Sequence, residues 1–442
     1  MPEVTAREAA LLTLSACERQ GAWSDGYLKK ILHDASLSPR DAALCTRLCF
    51  GVLQNKLLLD WHLARCVSTP LKRLEDKVLQ ALRLGAYQIL FLTRVPESAA
   101  VNESVKLAKR YTKNPRAAGV VNAVLRRLIR EGETRPEPTQ LAIRYSHPQW
   151  LVDTFVSLLG TQGAQRLLAA NNGQPPMTAQ VNTCKTDAAT LLAELSGLGV
   201  DATPHPWLED VLILAETGNL ERLSAFQEGK FYIQDAAAKL AVLAAAPRSG
   251  MKVLDACAAP GGKSFAAAML MQDAGEILSR DIHPHKKALI EAGAERLGLT
   301  SIHAAVGNAR QVEQALWDCF DLVIADVPCS GLGIIRKKPD IRYKEPEPLE
   351  GLPAVQQDII ASVSRCVRPG GVLLYATCTL LPGENQEVVA QFLATHPDFS
   401  AEGFTLPGPV GDVPSGMVTL WPHIHETDGF FFAKLRRGRE TQ

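Results

Sequence analysis

Apolar positions recur every three to four residues through the first 130 residues, and this spacing predicts helices over 6–18, 38–53, 56–66, 74–92 and 100–111. Asp25, Ser38 and Pro39 stand where helices can start, and Gly26, Gly51 and Pro70 punctuate the run. The stretch 131–139 is rich in breakers and charge and reads as a linker. Over 140–240 the pattern changes: helical spacing at 150–159 and 163–170 is mixed with strand-like runs at 177–182, 211–214 and 230–233. That mixture predicts a small α+β segment. From about Leu240 onward short apolar runs alternate with helical stretches, giving strands at 252–255, 276–281, 301–306, 321–325 and 371–375 and a late strand at 430–435. This rhythm predicts a doubly wound, mainly parallel sheet. The expected domains are 1–133, 134–239 and 240–437, with no internal repeat or low-complexity tract.

The chain has 442 residues, too many for one ordinary core, which agrees with two to three domains. No apolar run approaches the roughly 18 residues needed to cross a membrane. The amino-terminal stretch lacks the cationic flank and apolar centre of a signal peptide, so the expected location is the cytoplasm. Ten cysteines are scattered without a Cys-x-x-Cys pair, and no Cys/His cluster has metal-ligand spacing. No metal is therefore expected, and most thiols should be reduced and buried.

Net charge is zero, but the average hides a division. Residues 1–135 hold 22 Lys and Arg against 13 Asp and Glu, and the remainder holds 25 against 34. The surplus is densest where Lys106, Lys109, Arg110, Lys113, Arg116, Arg126, Arg127 and Arg130 occur with no acidic residue among them. A solvated helix face usually mixes signs, so this stretch is a candidate phosphate-binding surface; the alternative is an ordinary basic face.

Two cysteines carry the clearest chemistry. Cys329, in Asp326-Val-Pro-Cys-Ser, and Cys378, in Tyr375-Ala-Thr-Cys, each follow a predicted buried strand, so both thiols should emerge at the carboxyl edge of one sheet. Upstream, Val253-Leu-Asp-Ala-Cys-Ala-Ala-Pro-Gly-Gly-Lys263 supplies a strand, a glycine turn and a helix start, which lets backbone amides approach a bound cofactor. Asp281 and Asp326 fall at strand ends. Asp281 can accept from ribose hydroxyls, although capping the next helix explains it equally well. The loop with Arg336, Lys337 and Lys338 can hold phosphates near Cys329 or be a plain surface turn.

The motifs Asp255-Ala-Cys-Ala-Ala-Pro-Gly-Gly-Lys263, Asp326-Val-Pro-Cys-Ser-Gly331 and Tyr375-Ala-Thr-Cys378 resemble those of RNA cytosine-C5 methyltransferases, which use S-adenosylmethionine. DNA cytosine methyltransferases are similar but place their nucleophile in the Pro-Cys motif. The front of the chain resembles the NusB-like RNA-binding domain of the bacterial 16S ribosomal RNA methyltransferases of the RsmB family, through Ala6-Arg-Glu-Ala-Ala-Leu, Asn102-Glu-Ser-Val-Lys-Leu-Ala-Lys109 and Gly119-Val-Val-Asn-Ala-Val-Leu-Arg-Arg127. The resemblance implies an all-α NusB-like domain, a small α+β helper domain opening with Tyr145-Ser-His-Pro-Gln-Trp150, and an α/β Rossmann-like class I methyltransferase domain.

It also implies roles. Cys378 is the nucleophile that adds to carbon 6 of cytosine, Cys329 assists release, Asp326 bonds the base edge, and Lys263 helps lower a thiol pKa. Backbone from Cys257, Ala258, Ala259, Pro260, Gly261 and Gly262 to Lys263 would meet the cofactor, Asp281 its ribose, and Asp326 would border the same site. The next strand end would meet the adenine, and here Gly307-Asn308 stands where the family has Gly-Asp, which keeps an acceptor oxygen but loses a charge. The expected partner is small-subunit ribosomal RNA, bound by a monomer. Two rival readings stay open: methylation of transfer RNA or another RNA at the same position, and an RNA-binding antitermination or assembly protein with an idle catalytic half.

Overall fold

Ser38 begins the second long helix as its sequence suggests: the side chain accepts from the Asp41 backbone N–H at 3.2 Å and Pro39 fills the first helical position. A computed structural model describes residues 4–20, 24–35, 37–215 and 217–439. These form two compact units, one of Met1–Gly173 with Ile335–Lys344, the other of Gln174–Ile334 with Glu345–Gln442.

The first unit is helical: α1 Ala6–Gln20, α2 Ser24–Asp34, α3 Pro39–Gln54, α4 Lys56–Cys66, α5 Asp76–Phe91, α6 Glu97–Tyr111, α7 Ala117–Glu131, the short α8 Leu141–Arg144, and α9 Gln149–Asn171. Helix α9 is broken at Gly160, where φ is 68°, between the two stretches predicted as separate helices. Helix α5 is buried along its length from Val78 to Gln88 and forms the centre of the bundle. Arg83 is buried there in a fork with Asp60 at 2.8 and 2.7 Å, a bidentate pairing that satisfies its guanidinium.

The segment Ile335–Lys344 belongs to this helical unit, although the surrounding sequence belongs to the other. Arg342, fully buried, donates to the carbonyls of Gln54 at 2.9 Å and Ser146 at 3.2 Å, to Asn172 Oδ1 at 2.8 Å, and to the Asn171 carbonyl at 3.3 Å. Its guanidinium thus sits on the carboxyl ends of α3 and α9, where carbonyls lack helical partners and the helix dipole favours a cation. Burial lowers its pKa to about 10, still well above neutrality. The neighbouring Tyr343 hydroxyl donates to the Leu53 carbonyl at 2.8 Å.

The second unit opens with a four-stranded antiparallel sheet, order β2-β3-β1-β4, made of β1 Met177–Val181, β2 Asp201–Pro204, β3 Val211–Ala215 and β4 Phe231–Ile233. Helix α10 Ala188–Gly197 covers it through Leu191 and Leu195, and the short α11 Ser224–Gln227 follows β3. The larger sheet holds β5 Lys252–Asp255, β6 Glu276–Asp281, β7 Ile302–Val306, β8 Phe320–Asp326 and β9 Val367–Thr377, all parallel to their neighbours in the order β9-β8-β5-β6-β7. Strand β10 Phe399–Ala401 pairs with the antiparallel β14 Phe430–Arg437, which lies against β9. Between them come the hairpin β11 Phe404–Leu406 with β12 Gly411–Val413, then β13 Met417–Leu420, which pairs with β14. Helices α12 Ala236–Ala245, α13 Gly262–Leu270, α14 Pro284–Leu297, α15 Leu352–Ser364, α16 Gln386–Thr395 and the short α17 Pro422–His425 complete the unit.

Strands β5 and β8 are the functional hinge of this topology. From β5 the chain winds outward through β6 to β7, then returns to β8 on the other side of β5 and continues to β9. Loops leaving the carboxyl ends of β5 and β8 therefore diverge, and the crevice between them is the natural ligand site of an open α/β sheet. No single helix among the described residues is long and apolar enough to cross a membrane.

Within the middle segment, residues 134–173 group with the helical unit and 174–239 with the second unit, because α9 packs with α8 whereas the sheet β1–β4 leads directly into α12, whose apolar face is part of the larger core.

Candidate active site

The glycine loop begins at Asp255, the last residue of β5. Its carboxyl is fully buried; Oδ2 accepts from Ser264 at 2.7 Å, and Ser279 in turn donates to Ser264 at 2.7 Å. Oδ1 has no donor, and burial raises the carboxyl to about 7 despite the Ser264 bond and the charge of Lys263. The turn that follows depends on Gly261, which adopts φ 111° and where a Cβ would meet the Phe265 ring at 2.4 Å. Helix α13 starts at once, so its amide ends face the crevice side of the loop.

Lys263, in the first turn of α13, is buried and points back to Asp326 at the end of β8, with Nζ to Oδ2 2.5 Å. Burial disfavours the ammonium, but the charge and hydrogen bond of Asp326, then Asp255 and Cys378, outweigh it and hold the pKa above the ordinary lysine value. The Phe430 ring lies 5.0 Å from the same Nζ.

Cys329 and Cys378 are both half-buried, and their sulfurs are 3.3 Å apart. The Cys329 thiol is pushed well above its usual pKa, first by its hydrogen bond with Cys378 and by burial, then by the charges of Cys378, Glu384 and Asp326. Behind them the chain crosses at close quarters: Gly333 donates its N–H to the Cys378 carbonyl at 2.9 Å, and a Cβ there would meet the Gly429 carbonyl oxygen at 1.9 Å.

A cavity of about 470 Å³ joins Cys257, Ala259, Asp281, Asn308, Asp326, Cys329 and Cys378. A smaller one of about 140 Å³ shares Cys257, Ala259 and Asp326 with it and adds Asp255, Ala258, Pro260, Gly262 and Lys263. Asp281 is a border case in the structure too: it lines the larger cavity while its Oδ1 accepts from the His283 backbone at 3.1 Å at the start of α14. Asn308 Oδ1 accepts from the Arg310 backbone at 3.0 Å, which orients its amide. The residues present suit S-adenosylmethionine: an unsatisfied buried carboxyl oxygen at Asp255, a glycine turn that a side chain would fill, and a carboxylate at the next strand end.

Lys106, Lys109, Arg110, Lys113 and Arg116 are exposed along the end of α6 and the turn into α7. Lys106 pairs with Glu103 at 2.7 Å and Arg110 with Glu8, so these two also serve the helical unit itself. Arg336, Lys337 and Lys338 follow Cys329 closely in sequence; the segment that carries them packs with the helical unit. Glu384, Gln356 and Thr379, buried around the cysteine loops, belong to no motif that the sequence reading singles out.

Residues 242–436 match the family described as 16S rRNA methyltransferase RsmB/F, residues 4–130 the NusB family, and residues 147–221 the ferredoxin-like domain of the RsmF/B-like methyltransferases. The chain is 37% identical over 448 residues to a probable ribosomal RNA small subunit methyltransferase B of Bacillus subtilis, covering 99% of this chain and all of the relative. It is 33% identical to the ribosomal RNA small subunit methyltransferase B of Klebsiella pneumoniae, over 91% of this chain and 92% of that one. Among solved structures, PH0851 superposes with a TM-score of 0.81 at 24% identity over 97% of this chain and 98% of that one, which establishes the shared fold. NSun6 from Pyrococcus horikoshii, solved with SFG, has a TM-score of 0.59 at 22% identity, with 66% of this chain and 99% of that one covered. The helical NusB domain, the ferredoxin-like sheet and the methyltransferase sheet occur here in one continuous match, and the chain belongs to the RsmB/F family of 16S rRNA methyltransferases.

Proposed function

We propose that this protein transfers a methyl group from S-adenosylmethionine to carbon 5 of a cytosine in 16S ribosomal RNA through a covalent adduct with Cys378. The observation that carries the reading is the pair of sulfurs 3.3 Å apart beside the buried Lys263 and its partner Asp326. The cofactor, when bound, supplies an electrophilic methyl group that carbon 5 of cytosine is by itself too weak a nucleophile to accept. Cys378 adds to carbon 6, which makes carbon 5 electron-rich. Asp326, held by Lys263, bonds the amino and ring-nitrogen edge of the base and stabilises the adduct. After transfer, the carbon 5 proton passes to water, its bonding pair restores the carbon 5–carbon 6 double bond, and the carbon 6–sulfur bond breaks with its electron pair returning to Cys378 as thiolate; Cys329, whose sulfur is 3.3 Å away, assists by donating a hydrogen bond to the departing sulfur.

Asp281 and Asn308 would hold the ribose and adenine, and the 257–263 loop the amino-acid portion. Lys106, Lys109, Lys113 and Arg116 form the docking surface for phosphates, with Arg110 contributing from its pair with Glu8. Arg336, Lys337 and Lys338 would add further phosphate contacts. We place the enzyme in the cytoplasm, where its substrate is assembled.

The test is methyl transfer from labelled S-adenosylmethionine to 16S ribosomal RNA, naked and partly assembled, with nucleoside mass spectrometry of the product. The expected product is 5-methylcytidine that disappears in Cys378→Ala. Methylation at another atom, or of transfer RNA alone, would overturn the reaction or the substrate respectively.

A further inference from the structure

Glu384 ends the turn Pro382–Glu384 and is 3% exposed. Its Oε2 accepts from the Ser330 backbone N–H at 2.9 Å and from Gln356 Nε2 at 2.9 Å, and its Oε1 accepts from the Thr379 hydroxyl at 3.4 Å. Ser330 directly follows Cys329, and Thr379 directly follows Cys378. One buried carboxylate therefore receives both cysteine loops. The two loops are also joined to each other, since the hydroxyls of Ser330 and Thr379 are 2.6 Å apart. Gln356 ties in a third point by donating to the Pro328 carbonyl at 3.0 Å, on the other side of Cys329.

A carboxylate is an unusual choice for this place. Three neutral donors reach it, and a neutral side chain could bridge the same loops without the cost of burying a charge. What an amide lacks is the negative charge behind Cys329, which opposes formation of a second anion there.

We propose that Glu384 is a positioning residue that clamps the two cysteine loops and sets a negative charge behind Cys329. The proposal rests on the two-cysteine reading above. Removing the charge frees Cys329 to ionise, and removing the clamp lets the sulfurs separate. The release step is the one affected, because that step needs both thiols in register.

The first test needs neither RNA nor cofactor. In the full chain carrying Cys378→Ser, the rate of Cys329 alkylation by iodoacetamide is followed against pH by peptide mass spectrometry, with and without Glu384→Gln. The expected result is an alkylation profile displaced to lower pH in the double variant. An unchanged profile in a folded double variant overturns the charge role.

The second test uses 16S ribosomal RNA with otherwise wild-type protein. Thr379→Val and Glu384→Gln should each lower kcat at least about 10-fold, leave KM for RNA within about 2-fold, and accumulate an RNA-linked band; Thr379→Ser, which keeps the hydroxyl, should restore turnover. A loss that appears only in KM, or no rescue by serine, overturns the clamp. If the wild-type protein methylates no RNA, the functional reading fails while the alkylation profile still judges the charge role of Glu384.

Discussion

Cys329 and Cys378 come from the ends of neighbouring parallel strands, and their sulfurs meet at 3.3 Å. The hydrogen bond with Cys378 and burial push the Cys329 thiol well above its usual pKa. Cys329→Ala should accumulate a protein–RNA species that survives denaturing electrophoresis, and Cys378→Ala should form none. The reverse pattern would exchange their roles.

Lys263 and Asp326 neutralise each other within the site, and Asp326 is the more accessible partner. Asp326→Asn retains an oxygen that can accept from Lys263 but presents an amide to the base. Its kcat should fall on the order of 100-fold or more with little change in melting temperature, read by steady-state methyl transfer and thermal unfolding. A fall of less than about 3-fold would remove Asp326 from the chemistry.

Asp255 predicts a pH effect on stability. An unfolded aspartate titrates near about 4, and this one titrates at about 7 in the fold. The folded state then holds a proton that the unfolded state has already lost, so the contribution of this group to stability is greatest below about pH 4 and declines as pH rises through about 7. The decline is at most about 4 kcal/mol. Asp255→Asn keeps the Ser264 bond and cannot ionise. Urea unfolding of the ligand-free protein from about pH 5 to about pH 8 should show the variant gaining on the wild type as pH rises; parallel curves would contradict the raised value.

Arg342→Ala should destabilise the helical unit by about 2–4 kcal/mol, because carbonyls of Gln54, Ser146 and Asn171 lose a buried charged donor together. Arg342→Lys should recover only part, since one ammonium cannot span the same set. Circular dichroism during urea unfolding reads both.

The exposed cations at the α6–α7 turn predict a salt effect. Replacing Lys109, Lys113 and Arg116 with alanine should weaken RNA binding and flatten the plot of log affinity against log salt by about 0.7 for each phosphate no longer neutralised. Arg110→Ala should in addition lower stability, because it strands the buried Glu8. An unchanged salt slope in the triple variant would assign these residues to ordinary surface.

The parts of the fold that are legible in the sequence are those with local signals. The apolar runs at 252–255 and 276–281 form β5 and β6 without displacement, and Gly160 splits α9 where the helical spacing lapses. Helix α2 lies outside the predicted helices, as does α7, whose charge draws the eye although Val121, Val124, Leu125 and Leu128 form a regular buried face. The three-residue strands β10, β11 and β12 are too short for alternation to register. Within the candidate site, the cysteine and glycine motifs mark themselves by type and spacing. Glu384 does not, because Pro-Gly-Glu-Asn looks like a surface turn until Ser330, 54 residues away along the chain, and Gln356, 28 residues away, donate to it. The same holds for Arg342, whose bonds reach Asn172, 170 residues away along the chain, and Gln54, 288 residues away.

The placement of Ile335–Lys344 limits how this chain can be cut. A fragment starting at Gln174 contains every candidate catalytic residue and both of its own larger sheets, so it looks like a portable enzyme. It would nevertheless carry a loop whose Arg342 and Tyr343 had been stripped of the carbonyls they bond, with Ile341 exposed beside them. The helical portion, expressed alone, would in turn keep two helix ends with an empty seat for a guanidinium. Neither piece is a finished module, and exchange of NusB-type domains between relatives would succeed only if this short loop travelled with its receptor.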